Sequence, residues 1–160
     1  MATHKLQRNL IELMPRARRY ARALIGDTEI ADTVLSVATL NVIKQAPDIS
    51  LLTPYKMILP WLFIELHKEI DLSATISNQR HKTSPYQTGS TLHEQVDSGL
   101  KTLSNIQKRA YLLTVLEQFP LATTAHVLGQ PIELVKIHFN QAHVSVYKHV
   151  NEHFTQQSSN

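Results

Sequence analysis

Leu6, Leu10, Leu13, Ala17, Tyr20, Ala21 and Leu24 recur at spacings that place them on one face of a helix over about 4–25. Pro15 falls inside this pattern and kinks or divides the helix. Gly26 and Asp27 end it, and Asp27 or Thr28 caps the next one. That second helix, about 28–45, has the centre IADTVLSVATLNVI. The only charge in that centre is Asp32, and the apolar residues stand on more than one side of the helix. Pro47 closes it. A third helix, about 52–71, carries Met57, Ile58, Trp61, Leu62, Ile64, Leu66 and Ile70, with Pro54 near its first turn and a bend at Pro60. Residues 73–90, SATISNQRHKTSPYQTGS, keep no period and read as a linker. The helical pattern returns over about 91–103, 105–118, 121–128 and 131–153. Gly129 sits in the last turn between helices, and Pro131 suits the first turn of the final helix.

The pattern predicts an all-α protein of two small helical domains, 1–72 and 91–154, joined by the 73–90 linker, with a disordered polar tail at 155–160. Composition agrees. In 160 residues there are only 4 Gly, too few for the many turns of a sheet protein, and the length allows one ordinary domain or two very small ones. There is no cysteine, which excludes disulfides, thiolate metal sites and a Cys nucleophile and fits a reducing cytoplasm. The N-terminus lacks the apolar core of a signal peptide. The most apolar run, Met57 to Leu66, is interrupted by Pro60 and Glu65 and is too short to span a membrane.

Charge changes the picture more than composition does. Residues 1–26 hold Lys5, Arg8, Arg16, Arg18, Arg19 and Arg22 against Glu12 alone. Residues 120–160 hold Lys136 and Lys148, balanced by Glu133 and Glu152. Yet the second segment carries the helix-turn-helix pattern. With Leu121 as position one, Ala125 supplies the small residue at the helix crossing. Gly129 takes the turn, and Val135 packs the second helix on the first. The helix that would read DNA offers Lys136, His138, Asn140 and Gln141, few groups for bases and fewer for phosphates. DNA binding is therefore not expected, and the corner reads as one kept for its shape.

No catalytic constellation, phosphate loop or cofactor motif appears, so the chain is not read as an enzyme and no cofactor is assigned. His149 and His153 share a helical face but no third ligand is placed near them, and no metal is assigned. His126 and His138 stand alone. Arg16, Arg18, Arg19 and Arg22 admit three readings: a nucleic-acid contact, a solvated face, or a contact with an acidic partner helix, the last two favoured jointly. The apolar surplus on the second helix forms two rows, Ile30, Val34 and Val37, and Leu35, Ala38 and Val42. One row packs on the first helix and the other is left for a partner, or both are core. Leu112, Val115, Leu116 and Phe119 pose the same choice in the second domain.

LIELMPRARRYARALIGDTEIADTVLSVATL at 10–40 resembles region 2 of the extracytoplasmic-function sigma factors. The shared pattern is a Leu and Pro, paired Arg, a Tyr-Ala-Arg-Ala-Leu run, then Gly and an acidic cap. KTLSNIQKRAYLLTVLEQFPLATTAHVLGQPIELVKIHFNQAH at 101–143 is similar to region 4, with its Leu-rich helix ending in Glu and its Ala-x-x-Leu-Gly corner. Two features of that family are missing. The acidic run that docks on polymerase is reduced to Asp32, and the basic reader helix is replaced by ELVKIHFNQAHVSV. Both losses resemble the sigma-like domain of PhyR-type general stress response regulators.

The resemblance implies a mimic that binds an anti-sigma factor of the NepR type and so frees the real sigma factor. The anti-sigma helix would lie between two domains that close around it. It also implies a C-terminal receiver domain, of which this chain has no trace after Phe154. The chain then reads as an excised sigma-like domain or a protein without the receiver and its phosphorylation switch. Two alternatives stay open: a divergent sigma factor that binds core polymerase and promoter DNA, and an unrelated helix-turn-helix regulator.

Overall fold

The computed structural model describes residues 2–49, 54–76 and 92–157. Every regular element among them is helical, and they fall into two compact units, 1–80 and 81–160. In the first unit, α1 (Ala2–Ile25), α2 (Thr28–Ile49) and α3 (Tyr55–Ile76) pack on one another. The periodic residues of α1 make its core face: Leu6, Leu10, Leu13, Ala17, Tyr20 and Ala21 are all buried. They meet Ala31, Val34, Leu35, Ala38 and Val42 of α2 and Ile58, Leu59, Leu62, Phe63 and Leu66 of α3 in one apolar core. Burying a dozen or more such side chains, each contributing about 1.5–3 kcal/mol, is what offsets the entropy of ordering the bundle.

Polar contacts set the register of this core. The Tyr20 hydroxyl and His67 Nε2 share a buried hydrogen bond of 2.7 Å, and the Tyr20 ring lies 4.2 Å from that of Phe63, centroid to centroid. Asn41 Nδ2 donates to Glu69 Oε1 at 2.8 Å and ties α2 to α3. Asp27 caps α2, its Oδ1 accepting from the Ile30 N–H at 2.9 Å.

Three boundaries differ from those read in the sequence. Pro15 does not divide α1. Helix α2 runs on through Pro47 to Ile49, since a proline in a last turn forfeits only one intrahelical bond. Helix α3 continues to Ile76, four residues into the expected linker. The rest of that linker, from 77 on, lies outside the described residues.

In the second unit, α4 (Leu92–Lys101), α5 (Asn105–Tyr111) and α6 (Leu121–Leu128) all pack against the long α7 (Ile132–Gln157). Helix α7 takes in Thr155 to Gln157 of the expected tail, whose last three residues lie outside the described residues. Ser104 and Gln107 close a reciprocal capping box at the start of α5. Gly129 takes φ +61°, the left-handed turn between α6 and α7. Gly99 permits α4 to approach α7: a Cβ there would stand 3.4 Å from the Val146 Cα. Leu100, Ala110, Leu113, Val127, Val135, Ala142 and Val146 form this unit's core.

Helix α5 does not end as a plain α-helix. Leu112–Leu116 are wound as a π-helical turn, and the Glu117 N–H reaches back five residues to the Leu112 carbonyl at 3.0 Å. Gln118 then adopts φ 55°, and the Phe119 N–H donates to the Leu113 carbonyl at 3.0 Å. The ending resembles a left-handed helix cap widened by one residue.

Candidate partner-docking site

Helix α2 shows how the first unit presents its surface. Val34, Leu35, Ala38 and Val42 all face inward, so neither of the rows read from the sequence stands free as a whole. Leu35, at 2% exposure, is wholly core. The helix has one broad buried face because it packs on both α1 and α3. Its outer line is Ile30, Val37 and Leu40, all exposed. The hydroxyls beside this line are turned back on the helix. Thr33 donates to the Glu29 carbonyl, Ser36 to that of Asp32 and Thr39 to that of Leu35, at 2.8–2.9 Å. Such back-bonding satisfies the hydroxyls locally and leaves a nearly neutral, apolar outer strip.

The arginine cluster is partly committed within the unit. Arg22 makes a two-pronged contact with Asp32, Nε to Oδ1 at 3.0 Å and Nη2 to Oδ2 at 2.6 Å, and Arg18 Nε stands 3.6 Å from Oδ1. The Arg22 hydrogen bond holds the Asp32 carboxyl below its ordinary pKa, and Asp32 in turn raises that of Arg22. Arg16 and Arg19 also have contacts. The one acid left in the middle of α2 is thus neutralised by α1.

In the second unit, Leu112 is buried beside Leu113, while Val115 is exposed and Leu116 and Phe119 are half-buried. The split falls within the π-helical turn, where the chain passes from a core face to an outer one within four residues. Next to it, on α5 and α7, the rings of Tyr111, Phe139 and His143 lie within 6.3 Å of one another. Burial raises the Tyr111 pKa. Burial likewise lowers that of Lys108, against the opposing pull of Asp97.

Helix α7 buries Val135, Ala142 and Val146 and turns its other side outward. There stand Leu134, Ile137, Val144 and Tyr147, at 45, 50, 65 and 63% exposure. Their spacing of three and seven stands in the sequence, and Leu40 of α2 lies outside both rows read there. The candidate set therefore divides: Ile30, Val115, Leu116 and Phe119 reach the surface, and Val34, Leu35, Ala38, Val42 and Leu112 hold the cores. Among the described residues no group of three metal-ligating side chains comes together; the His153 side chain is outside them. No described helix is long and apolar enough to cross a membrane.

Solved structures supply the comparison. The sigma factor RpoE of Bartonella quintana, in complex with the anti-sigma factor NepR, superposes with a TM-score of 0.75 over 92% of this chain and 97% of its own, at 18% identity. The fold is sigma-like. The PhyRSL–NepR complex of Sphingomonas sp. Fr1 gives a TM-score of 0.69 at 20% identity, covering 91% of this chain and 88% of that one. The anti-anti-sigma factor PhyR of Bartonella quintana, complexed with NepR, gives 0.60 at 17% identity, covering 89% of this chain and 49% of its own. No family model matches the sequence, and neither does any curated protein. The sigma-like fold expected from RRYARAL and the helix-turn-helix corner is thus found, in company with regulatory proteins of both the sigma and the PhyR kind.

Proposed function

We propose that this chain is a sigma-factor mimic that binds and sequesters an anti-sigma factor of the NepR type. The observation that carries this reading is the outer face of α7. In the position of a DNA-reading helix it exposes Leu134, Ile137, Val144 and Tyr147, and its Lys136 is already paired with Glu133 at 2.9 Å. Phosphate binding draws its strength from released counterions, and a neutral apolar face releases few. Two further features support the reading. Asp32, the remnant of an acidic polymerase-docking run, is engaged by Arg22 rather than offered to a partner. The sigma-like structures it resembles were each solved with NepR.

The outer strip of α2 and the half-exposed patch around Val115, Leu116 and Phe119 each suit the apolar side of an amphipathic helix. Binding there needs no enzyme chemistry. The likeness to RpoE, a sigma factor, favours a second reading, a divergent sigma factor working with core polymerase.

Calorimetric titration of the full chain with NepR from the two source organisms, and separately with core polymerase and promoter DNA, distinguishes the two. The mimic binds NepR one-to-one and leaves polymerase unbound. Val37→Asp and Val115→Asp, both at exposed positions, each weaken NepR binding by about tenfold or more, as expected when an interface must bury a charge. Polymerase binding without NepR binding would establish the second reading instead.

A further inference from the structure

We infer that the outer face of α7 is a self-association surface, on which a second copy of this chain docks its own α7 antiparallel about a two-fold axis between Asn140 and Gln141. This goes beyond the anti-sigma reading and does not depend on it. The face lies opposite the core line Val135, Ala142 and Val146, and Ile137 and Val144 stand 50 and 65% exposed on it. Its residues are arranged symmetrically in chemistry as well as position. Counting outward from the 140/141 midpoint, Ile137 and Val144 are equally distant, and both lie near the middle of the face. Further out by equal steps stand Glu133 and Lys148, of opposite charge.

When two such helices meet antiparallel, Ile137 of each copy lies over Val144 of the other, and Glu133 of each lies over Lys148 of the other. A two-fold operator requires this kind of self-complementary patch, in which every contact is made twice. A parallel pairing in register would set Glu133 against Glu133 and Lys148 against Lys148, so charge selects the antiparallel one. Leu134 and Tyr147 flank the central contacts and extend them. Asn140 and Gln141 straddle the axis, where polar side chains fix register; Gln141 is already braced by Gln107 Nε2 at 3.0 Å. Within one copy Glu133 meets Lys136 at 2.9 Å and Lys148 stands 3.9 Å from Glu152, so both ends of the face are held in place before docking.

Because the chain has no cysteine, single cysteines report the geometry cleanly. The full chain is followed by sedimentation velocity over a wide concentration range, and Asn140→Cys and Glu133→Cys variants are mildly oxidised. A concentration-dependent dimer is expected. Asn140→Cys, beside the axis, crosslinks efficiently, and Glu133→Cys does not, because its counterpart lies at the far end of the pair. Val144→Asp, at a position 65% exposed, shifts dimerisation by at least about tenfold while the helical circular dichroism is unchanged. A chain that stays monomeric throughout overturns the inference and leaves the face for a different protein. A dimer indifferent to Val144→Asp, or one that crosslinks through Glu133→Cys, overturns it as well. Since NepR is absent from this experiment, its outcome is separate from that of the anti-sigma test.

Discussion

Gln118 holds φ 55°, a left-handed conformation that costs a residue with a side chain about 1 kcal/mol or more relative to glycine. Its side chain is exposed, so little packing is lost when it is removed. Gln118→Gly therefore stabilises the second unit by about 0.5–1 kcal/mol, read as a higher denaturant midpoint with an unchanged slope. At Asp32 the balance is electrostatic. Its folded pKa is lowered, chiefly by the Arg22 hydrogen bond, so the unfolded state binds the proton more readily. The stabilisation is complete above the ordinary carboxylate range and fades as pH falls through and below it. Asp32→Asn is expected to flatten this acid limb of a stability–pH profile while changing stability little in strong salt, where an exposed pair is screened.

At the scale of the element, spacing located the helices and left open which sides are covered. The first helix was legible because its apolar residues keep one line and its opposite side is basic. The second was not: nine apolar residues in fourteen leave more than one face that can pack, and only the positions of α1 and α3 decide which. Leu35 and Val37 are two residues apart in the same helix, yet one is core and the other surface. The π-helical turn was invisible for a related reason. Ile106, Ala110, Leu113 and Glu117 keep α-helical spacing in the sequence, yet the turn at Leu112–Leu116 is wound wider. The docking surfaces were half legible. The scarcity of cations on α7 stands in the sequence, while the apolar line on its outer side needs the core face of α7 to be known first.

At the scale of the whole molecule, each unit has its own core, built from helices adjacent in sequence. Adjacent helices need only short loops to close, so each half has what it needs to fold locally. This makes Leu35 a probe of the molecule rather than of its surface. An aspartate there places a charge in a core built of apolar side chains, and a loss of about 3–5 kcal/mol is comparable to the whole stability of a small helical bundle. Leu35→Asp is expected to abolish the cooperative unfolding of α1–α3 and to leave that of α4–α7. Circular dichroism would then show part of the helical signal missing at low temperature and the remainder melting in one transition. In hydrogen exchange, protection would vanish on Leu10, Leu62 and Leu66 and persist on Leu113, Val135 and Val146. Loss of protection in both sets would mean that the second core draws on the first for its stability. Any loss of anti-sigma binding in this variant would report an unfolded unit, which is why Val37, and not Leu35, is the position at which to test docking.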